Sequence, residues 1–421
     1  MRRVDARKKI DASGTLPSAV HTPEAAHHRL ERLGLFAGLF LAGLTLRPQI
    51  VGLGPLIPEM KMDLAVSHAV AGLLSAIPLI CMGAFAFPAP ALSRRYGARA
   101  VIAAGLGIIA VFGVARAMVP DAALVIALTI GVGVGIGVAQ SVMPVAVKER
   151  FAHRPAFATG IYVAGINIGS AVSSAVAVPL AHALGSWRSP LAIFSLSTGV
   201  LMLAWLWLTK AGPSHRRAEV RIVALPWRHP TSWLLAVIFG VMSCIFYGLN
   251  SWLPDSYVDH GWSHAKAGTL LAILNMTALA TTLLVPWLAD RRGSRRLFLT
   301  GLGTLMLTGC VGFVLLPYAG WAWAALVGLA VGGMFPLVMT LPVDVGHRPA
   351  EVAAIAGIML GGGYAIAAVS PLLLGAVRDA TGSYRAVLCM IAAAAALLLA
   401  LCSALSRERL HRGTLGAPAQ H

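Results

Sequence analysis

Long apolar stretches alternate with short polar connections along most of the chain. Twelve of these stretches are long enough to cross a bilayer as helices, because about 20 apolar residues span its hydrocarbon core. They lie at residues 33–58, 68–91, 100–119, 122–147, 157–181, 189–209, 232–254, 264–288, 297–317, 321–344, 352–375 and 386–405. The pattern therefore predicts an all-α membrane protein with twelve transmembrane helices.

Composition also favours a membrane protein over a soluble one. Of the 421 residues, 58% are hydrophobic and 12% are charged, with a mean hydropathy of +0.79. A soluble globular protein is about 25% charged. The five cysteines all lie in apolar stretches and have neither CxxC nor metal-ligand spacing. We expect them to pack between helices, and we expect no metal site and no cofactor.

The net charge of +17 raises the question of a nucleic-acid partner. The basic residues lie mainly in the polar connections, however, and no basic stretch is interleaved with aromatic residues. Lys and Arg gather on the cytoplasmic side of membrane helices. With both termini in the cytoplasm, 26 of the 33 Lys and Arg fall on that side and six at the outer ends, Arg116 among them. We predict a multi-pass protein of the cytoplasmic (inner) membrane with no nucleic-acid partner.

Three polar segments frame the apolar chain, and all three are predicted to be cytoplasmic. They are an N-terminal arm at 1–32, a linker at 210–231 and a tail at 406–421. No cleavable signal peptide is expected, because the first apolar stretch is too long for the core of one. The linker separates a first half, residues 33–209, from a second half, residues 232–405.

The two halves repeat each other. Matching segments stand 196 residues apart, Pro58-Glu59 with Pro254-Asp255 and Ser67-His68-Ala69 with Ser263-His264-Ala265. Parallel repeats of six helices are typical of major facilitator transporters, whose substrate site lies between the halves near the middle of the membrane. We predict two pseudo-symmetric six-helix bundles in the major facilitator fold.

One charge interrupts the first apolar stretch. Arg47 lies at least about 15 Å from either end of that stretch at 1.5 Å per residue, and Pro48 follows it. Burying a guanidinium at mid-membrane costs about 2.5–3.5 kcal/mol, and its stem is too short to reach either surface. We therefore expect Arg47 to face a polar cavity. Its counterpart 196 residues later is Ser243, so the charge is more easily explained by a ligand than by the repeated frame.

Two connections resemble the D-R-x-G-R-R loop motif of the major facilitator superfamily. The second-half copy contains Asp290, Arg291 and Gly293, and the first-half copy contains Arg94, Arg95 and Gly97. We predict a gating role for these six residues at the cytoplasmic face, where Arg can hold a loop at the anionic leaflet. The first copy lacks the acidic residue, since Arg94 stands in its place. Charges that only set topology, with a turn glycine, are the alternative.

Several segments together resemble the cyanate/2-nitroimidazole branch of the major facilitator superfamily. They are Leu46-Arg47-Pro48, Gly54 to Glu59, Ser67 to Leu74, Met143-Pro144, Ala158 to Tyr162, Asn167 to Gly169, Phe246-Tyr247, Trp252 to Pro254 and Gly333 to Leu337. The resemblance implies transport of small planar polar or anionic compounds. Gln140 departs from the Asn expected in that family.

Polar and aromatic residues of the facing helices are the candidate substrate contacts. They are Arg47, Gln140, Tyr162, Asn167, Tyr247, Asn250, Trp252, Asn275, Phe335 and Tyr364. The four amides could instead join helices to one another, because an amide in hydrocarbon needs a partner. Tyr247 and Trp252 could instead belong to the aromatic belt at the membrane interface.

Carboxylates and histidines are missing from the predicted middle of the membrane, where a proton relay usually has one. Coupling could run through Glu59, through Asp344 or through protonation of the substrate itself, and uniport is equally open. The expected partners are a small-molecule substrate, the lipid bilayer and, as a candidate, protons. The protein is expected to be a monomer.

A transporter is the leading hypothesis, and three alternatives are open to test. A broad-specificity efflux pump of the same fold would have a wide apolar pocket and would tolerate loss of Arg47. A membrane enzyme would need a nucleophile, a metal cluster or a carboxylate pair, and the sequence has none in or beside its spans. A sensor would need an attached soluble domain.

Overall fold

The computed structural model describes residues 23–150, 155–210, 230–292, 295–345 and 349–405. Most of the predicted arm, linker and tail lie outside these residues, and so does Gly293. The first half contains α1 (Pro23–Thr45), α2 (Pro48–Val51), a 3₁₀ turn (Gly54–Leu56), α3 (Ile57–Leu64), α4 (His68–Phe85), α5 (Pro88–Tyr96), α6 (Ala98–Met118), α7 (Ala122–Arg150), α8 (Pro155–Ala183) and α9 (Arg188–Leu208). The second half contains α10 (Pro230–Asp259), α11 (His264–Arg292), α12 (Arg295–Leu315), a 3₁₀ turn (Pro317–Ala319), α13 (Gly320–Val345), α14 (Pro349–Thr381) and α15 (Tyr384–Ala404).

Twelve helical segments of the described chain are long and apolar enough to cross a membrane, which confirms the predicted number. The second of them ends at Phe85 instead of residue 91, because Pro88 begins the separate helix α5. The eleventh continues to Thr381 instead of residue 375. Hydropathy therefore located the spans, and the differences lie at their ends.

The helices form two six-helix bundles that meet along their lengths. Helix α4 of the first half packs along α14 of the second, and α8 packs along α11. Glycines allow this approach at several points. At Gly83, an added Cβ atom would lie 3.0 Å from the carbonyl oxygen of Gly361 in α14. Small residues at such contacts let helix backbones come close in a membrane, where close packing stabilises helix association.

The first membrane span is broken in its middle. Helix α1 ends at Thr45, and α2 begins at Pro48. Proline has no N–H group to donate into a continuing helix, so Arg47 lies in the bend between the two helices. Its carbonyl oxygen instead accepts from the N–H of Ile50 at 2.9 Å. The repeated span in the second half, α10, is one continuous helix.

The bundle has two ends, which are named here by the connections that form them. The distal end comprises the connections at residues 65–67, 119–121, 184–187, 260–263, 316–319 and 382–383. The opposite, terminal end holds the start of the first span and the end of the last. The charge distribution predicts that the distal end faces outward, and this orientation stays a prediction.

Candidate functional site between the two halves

Arg47 lies in the bend of the first span and is buried, with 5% of its surface exposed. Its Nη1 donates to the hydroxyl oxygen of Tyr247 on α10 and lies 3.8 Å from the sulfur of Met82. Tyr364 also interacts with the guanidinium. Within the described residues no carboxylate pairs with Arg47. The charge is therefore held by hydroxyl groups and left without a counter-ion from these residues.

A cavity of about 60 Å³ lies beside Arg47, between the two halves. Helices from both halves contribute to its wall. The lining residues are Arg47, Val163, Ile166, Asn167, Ser170, Met242, Ser243, Phe246, Ala278, Thr282, Val331, Gly332 and Phe335. The cavity wall thus brings together three of the predicted substrate contacts, Arg47, Asn167 and Phe335. One guanidinium and a few polar groups stand there among apolar side chains.

Polar contacts between the halves lie at or near this cavity. Besides Arg47 with Tyr247, the Nδ2 of Asn167 donates to the Oγ1 of Thr282 at 3.2 Å. Each contact joins a residue of the first half to one of the second. Any relative movement of the halves must therefore break or remake them.

Gln140 and Tyr364 form a further contact of the same kind. The Nε2 of Gln140 on α7 donates to the hydroxyl oxygen of Tyr364 on α14 at 2.8 Å. The Tyr364 ring packs edge-on against Phe239, with 5.0 Å between the ring centroids. The Oε1 of Gln140 is buried and has no hydrogen-bond partner among the described residues. This amide still has capacity to accept a hydrogen bond.

The tyrosine hydroxyl groups near Arg47 act as hydrogen-bond acceptors in the structure, and this matters for ligand binding. Tyr247 accepts a hydrogen bond from Arg47, and Tyr364 accepts one from Gln140. Each phenol therefore keeps its own hydrogen to donate. A guanidinium together with phenolic donors suits a ligand that accepts hydrogen bonds and carries negative charge.

Other predicted contacts lie away from the cavity wall. Asn250 and Asn275 are buried, and each donates to its own helix, to the carbonyl of Phe246 at 2.7 Å and of Leu271 at 2.8 Å. Tyr162 lies close enough to Arg47 to interact with its charge. These placements leave a substrate role for the three residues as a prediction.

Trp252 is fully buried near the distal end, and its Nε1 donates to the carbonyl of Pro371 at 2.9 Å. Tyr247 is buried as well. Neither side chain faces lipid, so the aromatic-belt alternative does not fit their positions. Trp252 therefore contacts α14 of its own half instead of the cavity.

The two predicted coupling residues each pair within one half. Glu59 lies 3.2 Å from the Nε2 of His182, both in the first half. Asp344 forms an ion pair with Arg295, both in the second half. Neither pair spans the two halves, and a coupling role for either carboxylate stays a prediction.

The predicted gating residues lie at the terminal end. Arg94 and Arg95 are exposed, and Gly97 takes a φ of +82° in the turn between α5 and α6, which favours glycine. Arg291 is exposed and stacks on Trp287, with its guanidinium carbon 3.8 Å from the ring centroid. The backbone of Asp290 lies in the last turn of α11, while its side chain and Gly293 lie outside the described part of the chain. Their gating role stays a prediction.

Arg116 corrects the sequence analysis, which counted it among the charges at the outer ends. It is fully buried, with 0% exposure, inside the first bundle. Its Nη2 donates to Gln49 at 2.6 Å and its Nη1 to Thr129 at 3.3 Å, while Gln49 donates to Ser195 at 2.7 Å. Arg116 lies near the end of α6, and hydropathy does not show which face of a helix end turns inward. Through Gln49 of α2, Arg116 therefore stabilises the broken first span on the side of the first bundle.

Sequence reasoning also missed several cavity residues, including Ser170, Ser243 and Thr282. Ser170 and Thr282 donate to carbonyls of their own helices, at 2.9 and 2.8 Å. A hydroxyl that donates to its own helix can lie on any face of that helix. The sequence therefore does not show that these residues face a cavity. Ser243 did carry one, because it is the repeat counterpart of Arg47.

Comparison with known proteins gives the family. The family model of the Major Facilitator Superfamily matches residues 35–368. The cyanate transport protein CynX of Escherichia coli (strain K12) is 33% identical over 351 residues, which cover 82% of this chain and 90% of the relative. The 2-nitroimidazole transporter of the same organism is 27% identical over 384 residues, covering 90% and 97%.

Solved structures agree with the fold. A bacterial homologue of the human lysosomal transporter Spinster superposes with a TM-score of 0.72 at 16% identity, covering 93% of this chain and 99% of that one. At this identity the match supports the fold alone. Together with the sequence matches, the chain therefore belongs to the major facilitator superfamily, in the family of cyanate and 2-nitroimidazole transporters, and is a membrane transporter and not an enzyme.

Proposed function

We propose that the protein is a secondary transporter of small planar anions or electron-rich polar compounds, cyanate-like or nitroimidazole-like, and that Arg47 contacts the substrate. The observation that carries this proposal is a buried guanidinium on a cavity wall, held by hydroxyls and by no described carboxylate. An anion in the cavity would supply the missing negative charge. The cavity lies between the halves, where alternating access exposes it to each side in turn.

The chemistry of the two relatives' substrates supports the same class. Cyanate is a small linear anion, and a nitroimidazole is a planar ring with two acceptor oxygens on its nitro group. A guanidinium presents paired donors in a plane, which suits both. Tyr247 and Tyr364 are not among the residues that line the cavity, and their hydroxyls contact Arg47 and Gln140.

The size of the cavity favours a small substrate over the broad-specificity pump. Pockets for drug-sized ligands occupy about 300–1,000 Å³, whereas this cavity measures about 60 Å³. One water needs about 10–15 Å³. The space therefore suits a group of a few heavy atoms.

Uptake of ¹⁴C-labelled cyanate into proteoliposomes tests the proposal. Arg47→Ala is expected to weaken cyanate binding about 10- to 100-fold, since a hydrogen bond to a charged group contributes about 1.5–3 kcal/mol. Arg47→Lys keeps the charge and loses the planar fork, so an intermediate loss is expected. Arg385→Ala, at an exposed arginine of the distal end, is the matched control and is expected to transport normally.

The same vesicles separate the remaining hypotheses. Competition by 2-nitroimidazole and by large organic dyes measures selectivity, and an imposed pH gradient measures proton coupling. Cyanate-selective uptake that survives Arg47→Ala would refute the assignment of Arg47. Dye transport with no preference for small anions would favour the efflux pump. Uptake indifferent to the pH gradient would favour uniport.

A further inference from the structure

A network of charged groups joins the two halves at the distal end, away from the cavity. Asp379 on α14 accepts three hydrogen bonds from the start of α4. The donors are the backbone N–H groups of His68 at 3.1 Å and of Ala69 at 2.8 Å, and the Nδ1 of His68 at 2.7 Å. A carboxylate of the second half thus occupies the first turn of a helix in the first half, where unpaired N–H groups favour negative charge.

The other ring nitrogen of His68 faces two groups of opposite charge. Lys61 of α3 contacts Nε2 directly, and a carboxylate oxygen of Asp255 on α10 lies 3.7 Å from it. If Lys61 donates to Nε2, the ring is neutral and its hydrogen is on Nδ1, donated to Asp379. If the ring takes a second proton, that proton is on Nε2. Nε2 can then no longer accept a hydrogen bond from Lys61, and its N–H faces the carboxylate of Asp255.

The remaining charged and titratable neighbours complete the balance. Arg378 lies 3.5 Å from Asp259 and over the ring of Tyr384, and Tyr384 donates to Asp255. Around a neutral His68 the network therefore holds three carboxylates, Asp255, Asp259 and Asp379, against two cations, Lys61 and Arg378. One negative charge is left over, and a proton on His68 would balance it.

We propose that His68 is a proton-binding site which fastens the distal ends of the two halves when it is charged. The imidazole belongs to the first half, and all three carboxylates belong to the second. An imidazolium therefore gains its partners only when the halves meet at the distal end. By reciprocity of linked equilibria, closure then strengthens proton binding and proton binding favours closure.

This site can exchange protons with water. The side chains of His68 and Asp379 keep 17% and 31% of their surface exposed. Histidine is the side chain whose charge ordinarily changes between about pH 5 and 8. The described cavity wall contains no carboxylate or imidazole, so we place the pH response in this network. The inference rests on the alternating access of the proposed function, and it does not depend on the identity of the substrate.

A distance measurement across the distal end tests the proposal without any substrate. Spin labels at Met118→Cys and Tyr318→Cys, both exposed at that end and in opposite halves, report their separation by double electron–electron resonance. The background replaces the five native cysteines. Lowering the pH from about 8 to about 5 is expected to shift the distance distribution towards the shorter population. An unchanged distribution would overturn the proposal.

Variants of two histidines identify the responsible group. His68→Asn keeps a donor near the Nδ1 position but cannot take a proton, so its distribution is expected to be independent of pH. His182→Asn is the matched control, because His182 also faces a carboxylate at the distal end, Glu59, but within one half. It is expected to respond like the parent. A normal response in His68→Asn, or a lost response in His182→Asn, would overturn the proposal.

Asp379→Asn removes a charged partner and tests the geometry of the site. The pH at which the shorter population appears is expected to fall, because the protonated His68 ring has lost one of its carboxylate partners. An unaltered titration would count against the site. Thermal unfolding of each variant checks that it is folded. Failure of cyanate uptake would leave these distances untouched, so the two proposals can fail separately.

Discussion

The first and seventh membrane spans occupy equivalent places in the repeat and differ in their continuity. The first span is broken between α1 and α2, with Arg47-Pro48 at the bend, whereas α10 runs unbroken from Pro230 to Asp259 through Ser243-Cys244. Arg47 and Ser243 nevertheless line the same cavity. The fold thus accepts either form of the span, and the asymmetry is concentrated at the candidate site.

Proline contributes to the difference. Pro48 removes an N–H group and fixes its own φ, and the first span breaks there, whereas Pro254 lies inside the unbroken α10. Serine and cysteine at 243 and 244 impose no such restriction. A bend also places Arg47 where its backbone does not follow a helical path, which directs its side chain to α10. The first span is therefore specialised for contact, and the seventh provides a straight surface opposite it.

Introducing the bend into the seventh span should have the largest effect. Cys244→Pro is expected to destabilise the protein by about 3 kcal/mol or more, because proline removes a helical hydrogen bond and clashes with the preceding turn. Thermal and denaturant unfolding in detergent measure it. Cys244→Ala is the control and should stay near the parent. Equal stability of the two variants would mean that α10 tolerates the same bend as the first span.

Weakening the support behind the bend should have the next largest effect. Gln49→Leu removes the acceptor of the buried Arg116 guanidinium, and we expect a loss of about 1.5–3 kcal/mol in unfolding free energy. Gln49→Glu keeps an acceptor and should retain more stability. If both variants unfold alike, Arg116 does not depend on this contact.

Moving the charge across the cavity tests the comparison directly. Arg47→Ser should lower cyanate binding about 10- to 100-fold. The double variant Arg47→Ser/Ser243→Arg returns one guanidinium to the cavity from α10 and should recover part of the loss, measured by uptake and by ligand-induced thermal shift. A folded double variant as inactive as the single one would show that the bend itself, and not only the charge, is required.

The smallest effect is expected at Asn167 and Thr282, which join the halves through α8 and α11. A double-mutant cycle with Asn167→Ala and Thr282→Ala should give a coupling energy of about 0.6 kcal/mol, the average for such bonds between membrane helices. Unfolding free energies of the four proteins measure it. A much larger coupling would place this pair beside Arg47 in importance.

The sequence predicted the fold well because its main signals are local or repeated. Twelve apolar stretches, the 196-residue offset and the isolated Arg47 all follow from the order of residues alone. Arg116 was misplaced because two positions near a helix end, one facing headgroups and one facing the bundle, have the same hydropathy. Thr282 was missed because its hydroxyl donates a hydrogen bond to a carbonyl of its own helix. Its contact with Asn167 exists only after the halves pack.

Trp252 is a second residue whose direction in the fold could not be predicted from the sequence. Its position near the end of a span is compatible with a cavity or with the aromatic belt at the membrane interface. The structure places it against Pro371 of α14, and that position depends on how α10 and α14 pack within the second bundle. Sequence patterns fix the depth of such a residue in the membrane more readily than its direction.

The charge of Arg47 has an electrical consequence. Since no described carboxylate neutralises it, an empty cavity is positive and a cavity holding a monovalent anion is neutral. A unit charge moved through a membrane potential exchanges about 2.3 kcal/mol per 100 mV. Under the proposed function, voltage would thus act on the returning empty transporter and spare the loaded one. Voltage steps without substrate should displace charge, and saturating anion should suppress that displacement. Equal displacement in both conditions would place the voltage-sensitive charge elsewhere.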